Sequence, residues 1–280
     1  MKKYVYLLLV GLLAFSACSD DDDPVIQLRK LTKVICYQDN ATTPLYQVDI
    51  RYKEDGSIYD MKSLNEGTMD FLYAGNTITV NGSGKEKTEY TINGNKQLTA
   101  KKVYAQNPYA TSVMYVSEEF TYGYTSGRLA FYNWLIRKPL EDGNKYEVLE
   151  SEKYERYEWE NGNMIRLMKG TQIMRLEYSD RNCPSNFPFF ITNTFAPTGL
   201  DVINPLNYLL GYQNVKLPSQ AYCYDMSSSG EVSAEYTFTS SIYEESPREI
   251  YVTDMEIKEK IHTPGKEGET TYRLHFEYNN

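Results

Sequence analysis

Short runs in which apolar and polar residues alternate recur along almost the whole chain, separated by clusters of Gly, Asn, Asp and Ser. YQVDIRY (Tyr46–Tyr52), TITV (Thr77–Val80), SVMYVSEEFT (Ser112–Thr121), YERYEW (Tyr154–Trp159), IMRLEY (Ile173–Tyr178) and EIYVTDMEIKEKI (Glu249–Ile261) are examples. A period of two sets one row of side chains on each face of a strand, so these runs predict strands with one buried and one wet face. The same signal returns at 221–225, 233–241 and 270–278, while a helical period is almost absent. The pattern therefore predicts an all-β chain of antiparallel strands.

Five stretches share a loose unit in which an aromatic-ended strand, a Gly- or Asn-containing turn and a strand opening on an aliphatic residue follow one another. They are RYKEDGSI, LYAGNTI, YTINGNKQL, YGYTSGRL and YEWENGNMI. Asp55-Gly56, Gly75-Asn76, Asn93-Gly94, Ser126-Gly127 and Asn161-Gly162 sit at the tips, where tight hairpin turns ask for positive φ. Repeated hairpins predict an antiparallel meander, a curved sheet or half-barrel in which each hairpin buries its face against its neighbours. Residues 28–280 form one β domain in this reading. The pattern breaks at 181–219, where prolines at 184, 188, 197, 205 and 218 are too frequent for a sheet interior. PLNYLLGY (Pro205–Tyr212) is the helix-capable run of this irregular insertion, with Asn204 as its cap.

Residues 1–17 have the features of a signal peptide. Lys2 and Lys3 precede an apolar run, Tyr4–Phe15, too short for a comfortable membrane span. Ser16-Ala17-Cys18 follows, and FSAC resembles a bacterial lipoprotein box, which implies lipidation of Cys18 as the first mature residue. Ser19, Asp20, Asp21, Asp22 and Asp23 come next, within an acidic tether spanning residues 18–27. This run resembles the export signal that sends Bacteroidota lipoproteins to the outer face of the outer membrane. With the hairpin units and the LLGYQNVKLPS segment, these features resemble uncharacterised Bacteroidota lipoproteins with a porin-like curved sheet. YGYTSGRL also resembles loosely the Tyr-Asp repeat of large secreted proteins, with Thr125 in the place of the Asp.

Charge and composition narrow the partners. The chain has 280 residues and a net charge of -9, which disfavours a nucleic-acid partner. Loss of Lys2 and Lys3 with the signal makes the mature body more acidic still, so attachment to an anionic membrane rests on acyl chains. Cys36, Cys183 and Cys223 remain beside Cys18, and in an oxidising compartment Cys183 with Cys223 is the candidate disulfide. His262 and His275 are the only histidines, with no Cys/His cluster, so neither a metal nor any other cofactor is expected. Gly82-Ser83-Gly84-Lys85 lacks the spacing of a phosphate loop and reads as a hairpin. No nucleophile elbow is present. Glu118-Glu119, Glu158 with Glu160, and Glu244-Glu245 are the carboxylate pairs a polysaccharide hydrolase would need, and a solvated strand face explains them more simply.

Tyrosine is the outlier, with 27 residues against ten Phe and two Trp. Its ring and hydroxyl suit half-wet sheet faces and sugar stacking alike. Tyr122, Tyr124, Tyr132, Trp134, Tyr157 and Trp159, with Tyr154 beside them, are the candidate glycan platforms. Glu and Lys on both faces of the strands argue against a membrane-spanning barrel. The expectation is a non-enzymatic surface lipoprotein of the outer membrane acting as a binding or structural module, with a glycan or a protein as the candidate partner. The alternatives are a carboxylate-dependent hydrolase and a periplasmic envelope subunit.

Overall fold

A computed structural model describes residues 29–64, 67–82, 87–141, 145–184, 187, 210, 214–227, 230–246 and 249–279. The signal peptide and acidic tether lie outside these residues. Sixteen strands run through the described chain. The first five are β1 (Leu31–Gln38), β2 (Tyr46–Tyr52), β3 (Ile58–Ser63), β4 (Gly67–Ala74) and β5 (Thr77–Asn81). Then come β6 (Lys87–Ile92), β7 (Leu98–Asn107), β8 (Ala110–Thr125), β9 (Arg128–Pro139) and β10 (Tyr146–Glu160). The last six are β11 (Asn163–Lys169), β12 (Gln172–Asn182), β13 (Lys216–Asp225), β14 (Val232–Ser246), β15 (Glu249–Ile261) and β16 (Gly268–Tyr278).

Every strand pairs antiparallel with its sequence neighbours, and β16 pairs with β1, so the sheet is a closed up-and-down barrel. Closure corrects the expected curved sheet or half-barrel. The register from Leu31↔Tyr278 to Gln38↔Tyr272 satisfies both edges that an open meander would leave bare. No α-helix occurs among the described residues; of the expected helix at 205–212 only Leu210 lies among them, in 3-10 conformation.

Alternation sorts the side chains as the sequence implies. In β16, Tyr272, Leu274 and Phe276 are buried inside while Arg273, His275 and Glu277 are exposed outside; in β15, Met255 and Ile257 alternate with Asp254 and Lys258. The inward residues of β1–β5 and β11–β16 make one continuous apolar core. The outer wall carries ion pairs around the barrel: Lys33–Glu277 (3.1 Å), Lys87–Glu89 (2.6 Å), Arg137–Glu119 (3.1 Å), Arg166–Glu158 (2.9 Å) and Arg51–Asp60.

The rim holding the start of β1 and the end of β16 is the terminal rim; the 183–215 connection leaves from it too. At the opposite rim, β7 to β10 project beyond their neighbours. β11 ends at Lys169 opposite Glu155, so Tyr146–Ser151 of β10 pair with β9 alone. Four of the five expected turn tips carry a glycine at positive φ, at Gly56, Gly75, Gly127 and Gly162. The fifth departs from expectation: at Asn93-Gly94 it is Lys96 that takes φ 59°. There Asn93 Oδ1 accepts from the Asn95 and Gln97 amides and shapes a longer loop.

Candidate functional site

The inner surface of the projecting panel differs from the rest of the wall. Between Leu98 and Leu129, and between Leu129 and Tyr157, no described hydrophobic side chain is fully buried. Half-buried rings stand there instead. Phe120 faces Trp134 and Tyr122 faces Tyr132 across the β8–β9 ladder. On the opposite, outer face of the same ladder Gly123 leaves room for the Phe131 ring, which a Cβ there would approach to 2.4 Å. The β9–β10 register shifts between Ser151 and Glu155, an irregularity that lets Tyr154 join the same group. Its ring centroid is 4.6 Å from that of Trp134 and 5.8 Å from that of Tyr132, and Phe120 stacks on Trp134 at 6.3 Å.

Polar groups edge this wall. The Trp134 indole donates to Glu118 Oε2 at 3.0 Å. Lys101 and Lys169 place their ammonium groups 5.0 and 4.9 Å from the Phe120 and Tyr154 centroids. At its base lies Glu155, 1% exposed. Tyr157 donates to Glu155 Oε2 at 2.6 Å, and Lys169 Nζ lies 3.6 Å from Oε1. Burial raises the Glu155 carboxyl above the ordinary carboxylate range, against the opposing pull of the Tyr157 hydroxyl and the Lys169 ammonium. Burial, reinforced by Glu155, likewise raises the Tyr132 hydroxyl. A second buried carboxylate, Glu259, accepts from Tyr236 at 2.8 Å and from Tyr272 at 3.4 Å within the packed core.

The candidate aromatic residues therefore divide. Trp134, Tyr132 and Tyr122 lie on the wall. Tyr124 packs toward the core and donates to the Leu98 carbonyl at 2.7 Å. Tyr157 is buried on Glu155, and Trp159 donates to the Leu129 carbonyl at 2.8 Å beneath the Arg128 guanidinium. Phe120, Tyr154, Lys101, Lys169 and Glu155 complete the site. Tyr154, also a candidate from the sequence, reaches this face through the irregularity before Glu155 rather than through strict alternation. Glu118 and Glu119 split, the first to Trp134, the second outward to Lys102 and Arg137. Glu158 is paired with Arg166 at 2.9 Å.

Cys183 and Cys223 are free thiols, as is Cys36, which corrects the candidate disulfide. Cys223 sits opposite Met174, and Cys183 follows Asn182 at the far end of the same ladder. Nine residues of strand separate them by roughly 30 Å, beyond disulfide reach. Burial pushes the thiols up, Cys36 to about 11 and Cys183 and Cys223 to about 12, so all three are protonated and unreactive. His275 Nδ1 lies 2.8 Å from Asp254 Oδ1, and His262 Nε2 lies 3.5 Å from Glu235, so the two imidazoles serve separate pairs. Asp254 and His275 line a shallow outer hollow of about 470 Å³ with Tyr37, Glu256 and Arg273. Among the described residues no group of three or more His, Cys, Asp or Glu forms a metal cluster.

Residues 19–280 match the model of a domain of unknown function, DUF5032. The chain belongs to that family. In fold the chain resembles two solved structures. One is a porin-like protein from Bacteroides uniformis, with 14% identity and a TM-score of 0.55, covering 89% of this chain and 98% of that one. The other is a porin-like protein from Bacteroides vulgatus, with 15% identity and a TM-score of 0.54, covering 89% and 99%. At this identity the likeness is one of fold. No curated protein matches the DUF5032 chain.

Proposed function

We propose that this DUF5032 protein is a non-enzymatic binding barrel of the outer membrane. It hangs at the cell surface from a lipid on Cys18 and holds a glycan against the aromatic wall of β8, β9 and β10. The polarity of its two faces carries this reading. A lipid-spanning barrel turns apolar residues outward around a polar lumen, whereas here the apolar residues fill the interior and ion pairs stand on the outer wall. Such a body needs a separate anchor, which Cys18 would supply, with Asp20–Asp23 directing it outward. Trp134 and Tyr154 offer partly open rings edged by Glu118 and Lys169, a combination suited to sugar rings and their hydroxyls.

Protease accessibility on intact cells, for wild type and for a variant with Asp20–Asp23 changed to Ala, tests the location. Digestion of the wild type and protection of the variant are expected, and protection of both would move the protein to the periplasm. A glycan panel probed with wild type and Trp134→Ala tests the binding. Loss of a wild-type signal in the variant is expected, and equal binding by both would remove the wall from the reading. Glu155 favours a second reading, a carboxylate hydrolase, because a carboxyl held above its ordinary range suits a general acid. Polysaccharide turnover by the wild type that Glu155→Gln abolishes would establish that reading instead.

A further inference from the structure

β10 loses step with β9 after Ser151 and regains it at Glu155, so the β9 ladder skips residues 152–154 and Tyr154 ends the skipped stretch. Side-chain neighbours, rather than the ladder, then set the orientation of its ring. Glu155 comes next, with Tyr132 opposite it on β9 and Lys169 opposite it on β11. It is the most buried carboxylate among the described residues, and its Oε2 accepts from Tyr157 at 2.6 Å. A buried charge needs partners, and the packed core meets that need at Glu259 with two tyrosine hydroxyls. Glu155 also has two hydroxyls, those of Tyr157 and Tyr132, and in addition the Lys169 ammonium at 3.6 Å. That ammonium lies 4.9 Å from the Tyr154 centroid, and the Tyr154 ring meets Trp134 at 4.6 Å. Carboxylate, ammonium, phenol ring and indole thus form one chain of contacts.

We infer that Glu155 is a positioning residue of the aromatic wall: its negative charge holds Lys169, Lys169 holds the Tyr154 ring against Trp134, and neutralising the carboxylate releases that ring. The groups that face Glu155 are Tyr122 from β8, Tyr132 from β9, Tyr157 from β10 itself and Lys169 from β11. Burial raises the Tyr122 and Tyr132 hydroxyls, so both keep their protons around neutrality. Acid therefore acts on this group through the Glu155 carboxyl, which burial also raises, and release comes at milder acidity than an exposed carboxylate would give. Once Tyr154 is released, Trp134 loses a close ring neighbour and its indole meets more water. The consequence for ligand binding rests on the glycan reading above, whereas the ring contact itself does not.

The test reads the Trp134 indole in the full-length chain carrying Trp159→Phe, which leaves one tryptophan, and Glu118→Gln, which removes the carboxylate bonded to that indole. Its emission is expected to move to longer wavelength as the pH falls, with one midpoint above the ordinary glutamate value of about 4.3, while far-ultraviolet circular dichroism stays constant. Glu155→Gln and Lys169→Met are expected to give the acid-form emission at every pH, and Lys169→Arg to restore a titrating signal. Should Glu155→Gln fail to fold, the two Lys169 variants decide alone. A folded reporter whose emission does not titrate, a midpoint that persists in Glu155→Gln, or neutral-form emission from Lys169→Met would overturn the inference. On a glycan that binds wild type and not Trp134→Ala, Lys169→Met is expected to bind about fivefold more weakly or worse, and Lys169→Arg within about twofold of wild type. Full binding by Lys169→Met would overturn the inference as well. A panel with no such glycan removes the glycan reading alone, since the emission readout needs no ligand.

Discussion

Two arcs of one sheet use the same alternation for different ends. In β11–β16 with β1–β5 the inward row is fully packed and closes on itself, with Leu167, Met174, Ala221, Val252 and Ile257 at zero exposure. In β7–β10 the inward row is aromatic and charged, and the strands outrun their neighbours, so the rings meet one another and the solvent. Alternation by itself therefore builds a wall, and the character of the inward residues decides whether that wall becomes core or surface. A tyrosine-rich row is the device that keeps an inner face half wet without collapse, because each ring packs while its hydroxyl stays solvated or paired.

Substitutions can break or sharpen this contrast. The largest effect is expected in the packed arc, where Leu167→Ala should cost about 2–5 kcal/mol, against less than about 0.5 kcal/mol for Val148→Ala at the panel edge. Urea titration of both variants measures the difference, and equal losses would erase the distinction between the arcs. Trp134→Ala removes a half-buried ring with several aromatic neighbours and should cost about 1–2 kcal/mol in the same titration. Glu155→Gln probes the seam between the two arcs. The folded state holds this carboxyl above its ordinary range, so its contribution is full below the ordinary carboxyl pKa and is lost as pH rises through the higher folded value. The wild type should therefore lose stability across that window, with a slope of at most about 1.4 kcal/mol per pH unit, and the Gln variant should show a flatter profile. The smallest change is expected at the β8–β9 tip, where Ser126 holds φ 51°. Ser126→Gly should raise stability by a few tenths of a kcal/mol by relieving a left-handed non-glycine residue, readable as a small shift of the thermal midpoint.

Most strands, their antiparallel order and the turn glycines were legible in the sequence, because periods of two and Gly-centred tips are local signals. Barrel closure was not, since the pairing of Val34 with Phe276 joins residues that no local window contains. The site was legible in part. Tyr122, Tyr132, Trp134 and Tyr154 emerge from the tyrosine-rich strands, whereas the place of Glu155, and the face that Tyr154 takes, depend on the irregularity after Ser151, which shifts the phase of the pattern without a glycine or proline to mark it. Cys183 and Cys223 misled for a related reason: an oxidising compartment permits a disulfide, but the ladder keeps the two thiols strands' lengths apart.

The joint between β1 and β16 also governs the order in which this molecule is made. Lys33 meets Glu277 and the Asn279 amide donates to the Lys30 carbonyl, so the first strand waits for the last. Until the C-terminal segment has emerged, β1 keeps a bare edge and the core remains open on one side. Long-range closure of this kind makes folding slow and late, and a chain shortened by its final strand would expose two edges at once rather than one incomplete hairpin.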